Sequence, residues 1–395
     1  MRLKPRLSFQ NSIPVLWWIA AIVSAITKAA PHRHNNYTIF RSSFYHFSRH
    51  QSLYSAYPAE HHDVFLYGPV FSILFAPFAL LPSFIGMLLW LCFSVAGCLW
   101  AVSQLPMSEK KKAAILWIAF LDLYTALCMQ QFNTLIGACI LLSFAFVEKK
   151  KEWAATLFIV LGTLTTLYGI VGLAFFPFVK RKGRYLAWLF AWFGLIGFLP
   201  MLFGGGSYAI EQYMNWFASL GTKNGENLFS LYQNVSLLGM VRKMTGIAGY
   251  SDLLLLVPGL ILFALPFLRF SQYKAPLFRM SILASTLLFT VLFSTGSESS
   301  TYIIALLGVG IWFIHRPKGK PDRLDITLLV GTLFLSSLSP TDLFPAALRK
   351  NVVLPYALKA LFPTLVWIRL SIELLCTHYL STQADTSSSL AYDQN

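Results

Sequence analysis

Apolar runs recur along the whole chain, at 13–30, 64–81, 84–104, 113–129, 134–147, 153–179, 185–203, 253–268, 277–293, 302–314, 326–338 and 352–375. Most approach the roughly 17–25 residues that cross a bilayer as a helix. None shows the strict alternation of a barrel strand, and backbone in lipid must satisfy its own hydrogen bonds, so the pattern predicts helices. The expected architecture is an all-α polytopic membrane bundle of about 10–12 spans. Residues 1–380 are expected to form one transmembrane domain, and the Ser/Thr-rich stretch 381–395 a disordered cytoplasmic tail.

Polar segments divide these runs unevenly. Most are short and basic, as at 110–112, 149–151, 180–184 and 315–323. Two are long, 31–63 and 204–250. Lys and Arg gather in cytoplasmic loops of membrane proteins. The basic residues before the first run therefore place the 31–63 segment outside, as an outer loop, with 204–250 as a second. One parity conflict remains: two runs, 64–81 and 84–104, separate an outward loop from the inward lysines at 110–112. Either one run is half-inserted or that cluster breaks the rule.

Composition narrows the picture further. The chain of 395 residues is 56% hydrophobic and only 12% charged, which excludes a water-soluble globule. The net charge of +15 sits in inter-span clusters and so reports orientation, not a nucleic-acid partner. The cysteines lie inside apolar runs, where packing is expected and disulfides are not. The start of the chain, basic and then apolar, is read as a retained first span and not as a cleaved signal.

The chemistry concentrates in the first outer loop. Six of the eight histidines fall within 31–82, together with Arg33, Arg41, Arg49, Glu60 and Asp63. Tyr37, Phe40, Phe44 and Phe47 recur at helical spacing, the pattern of a short amphipathic helix in the membrane interface. Asp63, just before an apolar run, suits either a general base toward a hydroxyl or a helix-dipole partner. Glu298, in a short turn between spans, is costly there unless used or paired. Gln131, Asn133 and Asn234 offer amides suited to hydroxyls, or to capping. The pairs His32/His34 and His61/His62 lack ligand spacing in any span, so no metal or other cofactor is expected. No phosphate loop or dinucleotide fingerprint occurs, which points to a donor held in the membrane.

Several patterns resemble glycosyltransferase family 87, polytopic members of the GT-C superfamily. They are Asn36-Tyr-Thr-Ile-Phe, Leu53-Tyr, Tyr57-Pro, Asp63 with Tyr67-x-Pro69, and Gln131-x-Asn133. Gly162-Thr-Leu-Thr-Thr-Leu-Tyr-Gly, Gln233-Asn-Val-Ser-Leu and Ser297-Glu-Ser-Ser-Thr-Tyr follow in order. The resemblance implies transfer of a hexose, often mannose, from a polyprenyl-phosphate sugar to a lipid or glycan acceptor. The reaction would proceed outside the cytoplasm, at a bacterial inner membrane and with inversion. By the same resemblance Asp63 and Glu298 are the catalytic candidates. Asn36, Arg41, Arg49, Tyr67, Gln131, Asn133, Tyr168 and Asn234 are those for substrate, with Arg41 and Arg49 near the donor phosphate. The chain departs from the family at Asn35-Asn36, where relatives carry an aspartate, and at Thr165-Thr166, where they tend to carry a lysine. Two other readings are a transporter or flippase of a lipid-linked sugar, and a transferase scaffold that has lost catalysis.

Overall fold

The computed structural model describes residues 9–30, 33–316 and 319–380. The basic start of the chain, His32 and the 381–395 tail lie outside the described residues. Every regular element among the described residues is helical. They gather into two compact units, one within residues up to 113 and 122–226, the other of 114–121 and from 227 onward.

The first unit opens with α1 (Phe9–Thr27) and α2 (Asn35–Ser48). The aromatic face that the sequence gives α2 is covered by protein: Tyr37, Phe40 and Phe47 are buried. What covers it is the 64–81 run, which does not form a span. Its prolines divide it into α3 (Pro69–Leu74) and α4 (Ala76–Ala79), with proline in the first turn of each, where a missing N–H costs nothing. Phe40 meets Phe71 edge-to-face at 4.8 Å and Phe75 at 5.5 Å. Trp90 lies 5.1 Å from Phe75 and stacks on Phe132 at 5.9 Å. Each such pair contributes about 0.5–1.5 kcal/mol beyond its buried area. Between this run and the lysines at 110–112 stands α5 (Ser83–Ser103), which is long and apolar enough to cross a membrane.

Next come α6 (Glu109–Cys128), α7 (Asn133–Glu148) and α8 (Glu152–Thr166). At the threonine-rich break α8 ends on Leu167 in the left-handed region (φ 64°), and a 3₁₀ helix, Tyr168–Phe178, folds back along it. Glycine makes that return possible: a methyl group on Gly169 would lie 2.4 Å from the Gly162 carbonyl carbon. The unit ends with α9 (Lys182–Gly197), α10 (Leu199–Gly204) and α11 (Gly206–Glu226).

In the second unit the 204–250 loop continues into α12 (Leu237–Thr245), followed by α13 (Leu253–Ala264). A tight hairpin of α14 (Pro276–Leu292) and α15 (Tyr302–Ile314) forms its centre, and almost every side chain in it is buried. Beyond α16 (Arg323–Thr332) and the short α17 (Ala346–Leu348), α18 (Leu361–Cys376) packs on α14, where Trp367 donates to Ser285 Oγ at 3.0 Å.

Among the described residues, Ser83–Ser103 and Lys182–Gly204 are long and apolar enough to cross a membrane. A bent pair, Ala346–Val353 with Leu358–Cys376, makes a third, and the other apolar helices run 10–17 residues.

Candidate active site

The polar 31–68 segment is held from two sides. On one, α2 clamps α4: Tyr37 Oη donates to the Phe78 carbonyl at 3.0 Å, and Arg41 Nε and Tyr45 Oη both donate to that of Ala79, at 3.2 and 3.0 Å. On the other, α11 braces the irregular segment that follows α2. Gln212 Oε1 accepts from the Leu53 N–H at 2.9 Å, Tyr208 Oη donates to the Gln51 carbonyl at 2.7 Å, and Trp216 Nε1 donates to that of Leu66 at 2.9 Å. The Gly68 N–H then bonds the Thr165 carbonyl at 2.9 Å. The loop is therefore fixed at each end of its polar segment.

Asp63 lies between these anchors. Its Oδ1 accepts from the Val64 N–H at 2.8 Å and from Lys223 Nζ, at the far end of α11, at 3.1 Å. Lys223 also pairs with Glu226 at 3.3 Å. Burial pulls the Lys223 ammonium down, but hydrogen bonds and charge from Asp63 and Glu226 outweigh it and hold it above the usual lysine value. The Asp63 side chain is 39% exposed, a carboxylate oriented by its partners yet open on one side.

A few residues earlier the loop builds a second polar cluster. His46 Nε2 lies 3.2 Å from Glu60 Oε1, and the His46 ring stacks on Tyr57 at 3.9 Å. Burial alone would raise the Glu60 carboxyl, but hydrogen bonds from Ser42 and His46 bring it below the usual carboxylate value. The His61 ring, buried, bonds the Asp63 carbonyl through Nδ1 at 2.6 Å. Since a carbonyl only accepts, Nδ1 carries the proton. Burial lowers His61 below the usual imidazole value, against the opposing pull of that bond and of Glu60. Asn35 Oδ1 accepts from the His62 N–H at 2.9 Å. Asn35, Glu60, His61 and His62, with His34 and the start of α5, line a half-open cleft of about 480 Å³. Among the described residues no group of three or more His, Cys, Asp or Glu side chains is arranged to hold a metal ion.

The remaining candidates of this unit have structural contacts of their own. Asn36 Nδ2 donates to the Met129 carbonyl at 2.7 Å, Gln130 adopts a left-handed φ of 51°, and Asn133 Nδ2 meets Gln131 Oε1 at 2.5 Å. Asn36 is thereby joined to Met129, 93 residues along the chain and just before the Gln131–Asn133 break. The Tyr67 ring lies in the aromatic cluster, 4.8 Å from Phe40 and 6.3 Å from Phe132. Tyr168 opens the 3₁₀ helix. The Arg41 and Arg49 guanidinium groups lie 5.3 and 5.9 Å from the Tyr45 ring.

Asn234 and Glu298 belong to the second unit. Asn234 is fully buried in a left-handed turn (φ 50°), and its Oδ1 accepts from Ser236 Oγ at 2.9 Å. Ser236 in turn caps α12 by accepting the Gly239 N–H at 3.1 Å. Glu298 closes a capping box with Thr301 at the head of α15, so its carboxylate serves the local backbone.

Comparison with known proteins decides the family. A model of glycosyltransferase family 87 matches residues 65–295. The chain belongs to glycosyltransferase family 87. It is thus a membrane glycosyltransferase. The family match contains Tyr67, Gln131, Asn133, Tyr168, Lys223 and Asn234, whereas Glu60 and Asp63 precede it and Glu298 follows it. Among solved structures, the apo crystal structure of ArnT from Cupriavidus metallidurans is similar over 93% of this chain and 77% of its own, at 14% identity and a TM-score of 0.43. No curated protein sequence matches the chain.

The sequence places Glu60 and His46 in the polar loop without marking a role for either, and Lys223 is not among its candidates. Lys223 had a readable signal, because Gln212, Trp216 and Lys223 fall on one face of a 3.6-residue period. Glu60 had none, being an isolated acid between Ala59 and His61.

Proposed function

We propose that this family 87 enzyme transfers a mannose-like hexose from a polyprenyl-phosphate sugar to a lipid or glycan acceptor. The proposed site is the extracytoplasmic face of a bacterial inner membrane. The observation that carries the reading is the Asp63 carboxylate, aimed by the Val64 N–H and Lys223 and still partly open at the end of a braced loop.

In this reading Asp63 takes the proton of the acceptor hydroxyl as its oxygen bonds the anomeric carbon. The bond from that carbon to the phosphate oxygen breaks on the opposite face, so the configuration inverts. The polyprenyl phosphate leaves with the bonding electrons, and its charge is met by Arg41 and Arg49 of α2. Glu298 stays a helix cap. Tyr67, Gln131, Asn133, Tyr168 and Asn234 are proposed to support the substrates.

The test is transfer of label from a polyprenyl-phospho-hexose to extracted envelope lipid by purified protein. Asp63→Asn is expected to lower the rate at least about 10²-fold, the scale of a general base. Label that crosses proteoliposomes without forming a covalent product would favour the flippase reading instead. Full activity of Asp63→Asn would remove Asp63 from the chemistry.

A further inference from the structure

At one end of the first unit its basic turns come together. Lys149 Nζ donates to Gln104 Oε1 at 2.6 Å and joins the end of α7 to that of α5. Lys112 Nζ donates to the Ser103 carbonyl at 2.7 Å and joins the start of α6 to the same place. The 3₁₀ helix returns along α8 and delivers Lys180–Arg184 to the start of α9, which packs on α8 in its turn. The segments 104–112, 148–153 and 180–184 carry ten Lys or Arg side chains against three acids. We propose that the 149–151 turn, the 180–184 turn and the outer face of α9 form a binding site for an anionic phospholipid. The cations take its phosphate and the helix face takes an acyl chain. The site is separate from the Asp63 loop, which is tied through Gly68 to the opposite end of α8.

Three features carry it. First, the charge is available. Lys150, Lys151, Lys180, Arg181 and Arg184 are exposed and, among the described residues, form no ion pair. Of the three acids, Glu109 is taken by Lys112 at 2.9 Å and Glu152 is buried. Cations crowded on one surface repel, and an anion seated among them relieves that repulsion. Second, an apolar track leads away from the charge. Arg184, Trp188, Leu195, Phe198 and Leu202 recur at helical spacing, and the last three are 60, 58 and 75% exposed. The helix Lys182–Gly204 is long and apolar enough to cross a membrane, yet most of it faces away from the protein. A water-soluble anion would use the cations and leave this track bare, whereas a phospholipid uses both. Third, tryptophans mark the depth between head and chain. Trp192 Nε1 donates to the Trp153 carbonyl at 2.8 Å, and Trp188 stacks on Trp192 at 6.0 Å. Trp153 lies just beyond the 149–151 turn, and Arg184 precedes Trp188 by one helical turn, about 5 Å. Tryptophan prefers the headgroup level of a bilayer, and basic pockets between membrane helices bind anionic head groups.

The experiment uses the full chain in detergent micelles, with dioleoyl phosphatidylglycerol and dioleoyl phosphatidylcholine as probes. Native mass spectrometry counts retained lipid without any turnover, so the result stands apart from the transfer chemistry. Phosphatidylglycerol is expected to bind at least about tenfold more tightly than phosphatidylcholine, as the pull of two or more cations requires. The double variant Arg181→Gln/Arg184→Gln should weaken phosphatidylglycerol about 25-fold, at about fivefold per cation, and leave phosphatidylcholine unchanged. Lys110→Gln/Lys111→Gln removes the same charge from the same end but outside the proposed site, and should change either lipid by less than about twofold. Trp188→Ala should weaken both lipids. Glycerol 3-phosphate, which offers the phosphate without the chains, should displace neither. Circular dichroism melts of the two double variants, expected to match wild type, show that both remain folded. The proposal is overturned if the two lipids bind alike, or if Trp188→Ala binds both as wild type does. Equal losses in the two double variants would show diffuse attraction in place of a site. Displacement by glycerol 3-phosphate would show a pocket for a soluble anion, and either result would overturn the proposal.

Discussion

Gly68 ties the 49–68 segment to the end of α8, and adding a single methyl group there tests how tightly. A Cβ at this position would stand 2.0 Å from the Leu164 carbonyl oxygen and 3.0 Å from the Trp216 ring. The first obstacle is backbone and has no rotamer to change, so the 65–68 segment must retreat by more than 1 Å to regain ordinary contact. That retreat breaks the Gly68 N–H bond to Thr165 and strains the Trp216 bond to Leu66, each worth about 1 kcal/mol net. Overpacking adds about 1–3 kcal/mol. Gly68→Ala is thus expected to cost about 3–5 kcal/mol in total. Gly221→Ala is the control, since a Cβ there meets nothing within 4 Å and alanine in the interior of α11 should add about 0.5–1 kcal/mol. Thermal unfolding followed by tryptophan fluorescence, with transfer assayed in parallel, reads both variants. The first should melt lower and lose most activity; the second should melt at or above wild type. A Gly68→Ala protein that melts and turns over like wild type would show that the loop is not held as described.

Acidification should loosen the same loop in two stages. His61 sits below its ordinary value of 6.5 in the fold, so the unfolded chain takes up that proton first, and stability present above pH 6.5 drains as pH falls toward the folded value. Glu60, below its ordinary 4.5, adds a second loss starting near pH 4.5. Melting curves at stepped pH should show both stages, and His61→Asn should erase the upper one. At the head of α15, Glu298→Ala should cost about 1 kcal/mol through the lost cap, while Glu298→Ser should restore stability and keep transfer. Transfer lost in a stable Glu298→Ser protein would mean that the carboxylate takes part in the reaction.

Much of this architecture is legible in the residues. The helix over 35–48, its aromatic face and the break after Thr166 all follow from local periodicity and composition. What hides is whatever depends on distant partners. The 64–81 run is apolar enough to pass for a span, and only its prolines signal that it folds back under α2. The 204–250 segment reads as polar loop, yet most of it is α11 and α12, because Trp216 and Gln212 find their partners some 150 residues upstream. The ion pair of Asp63 with Lys223 bridges 160 residues, a separation across which no spacing rule operates. Glu60 becomes notable only when a buried histidine and a cavity lie beside it.

The interlocked rings of Phe40, Phe71, Phe75, Trp90 and Phe132 have a mechanical consequence. They fasten α2 to neighbouring segments of its own unit, so thinning or swelling of a surrounding bilayer should move α2 and its supports as one body. Hydrophobic mismatch costs only fractions of a kcal/mol per Å, too little to prise such a cluster apart. Turnover should accordingly vary little between short-chain and long-chain phospholipid bilayers.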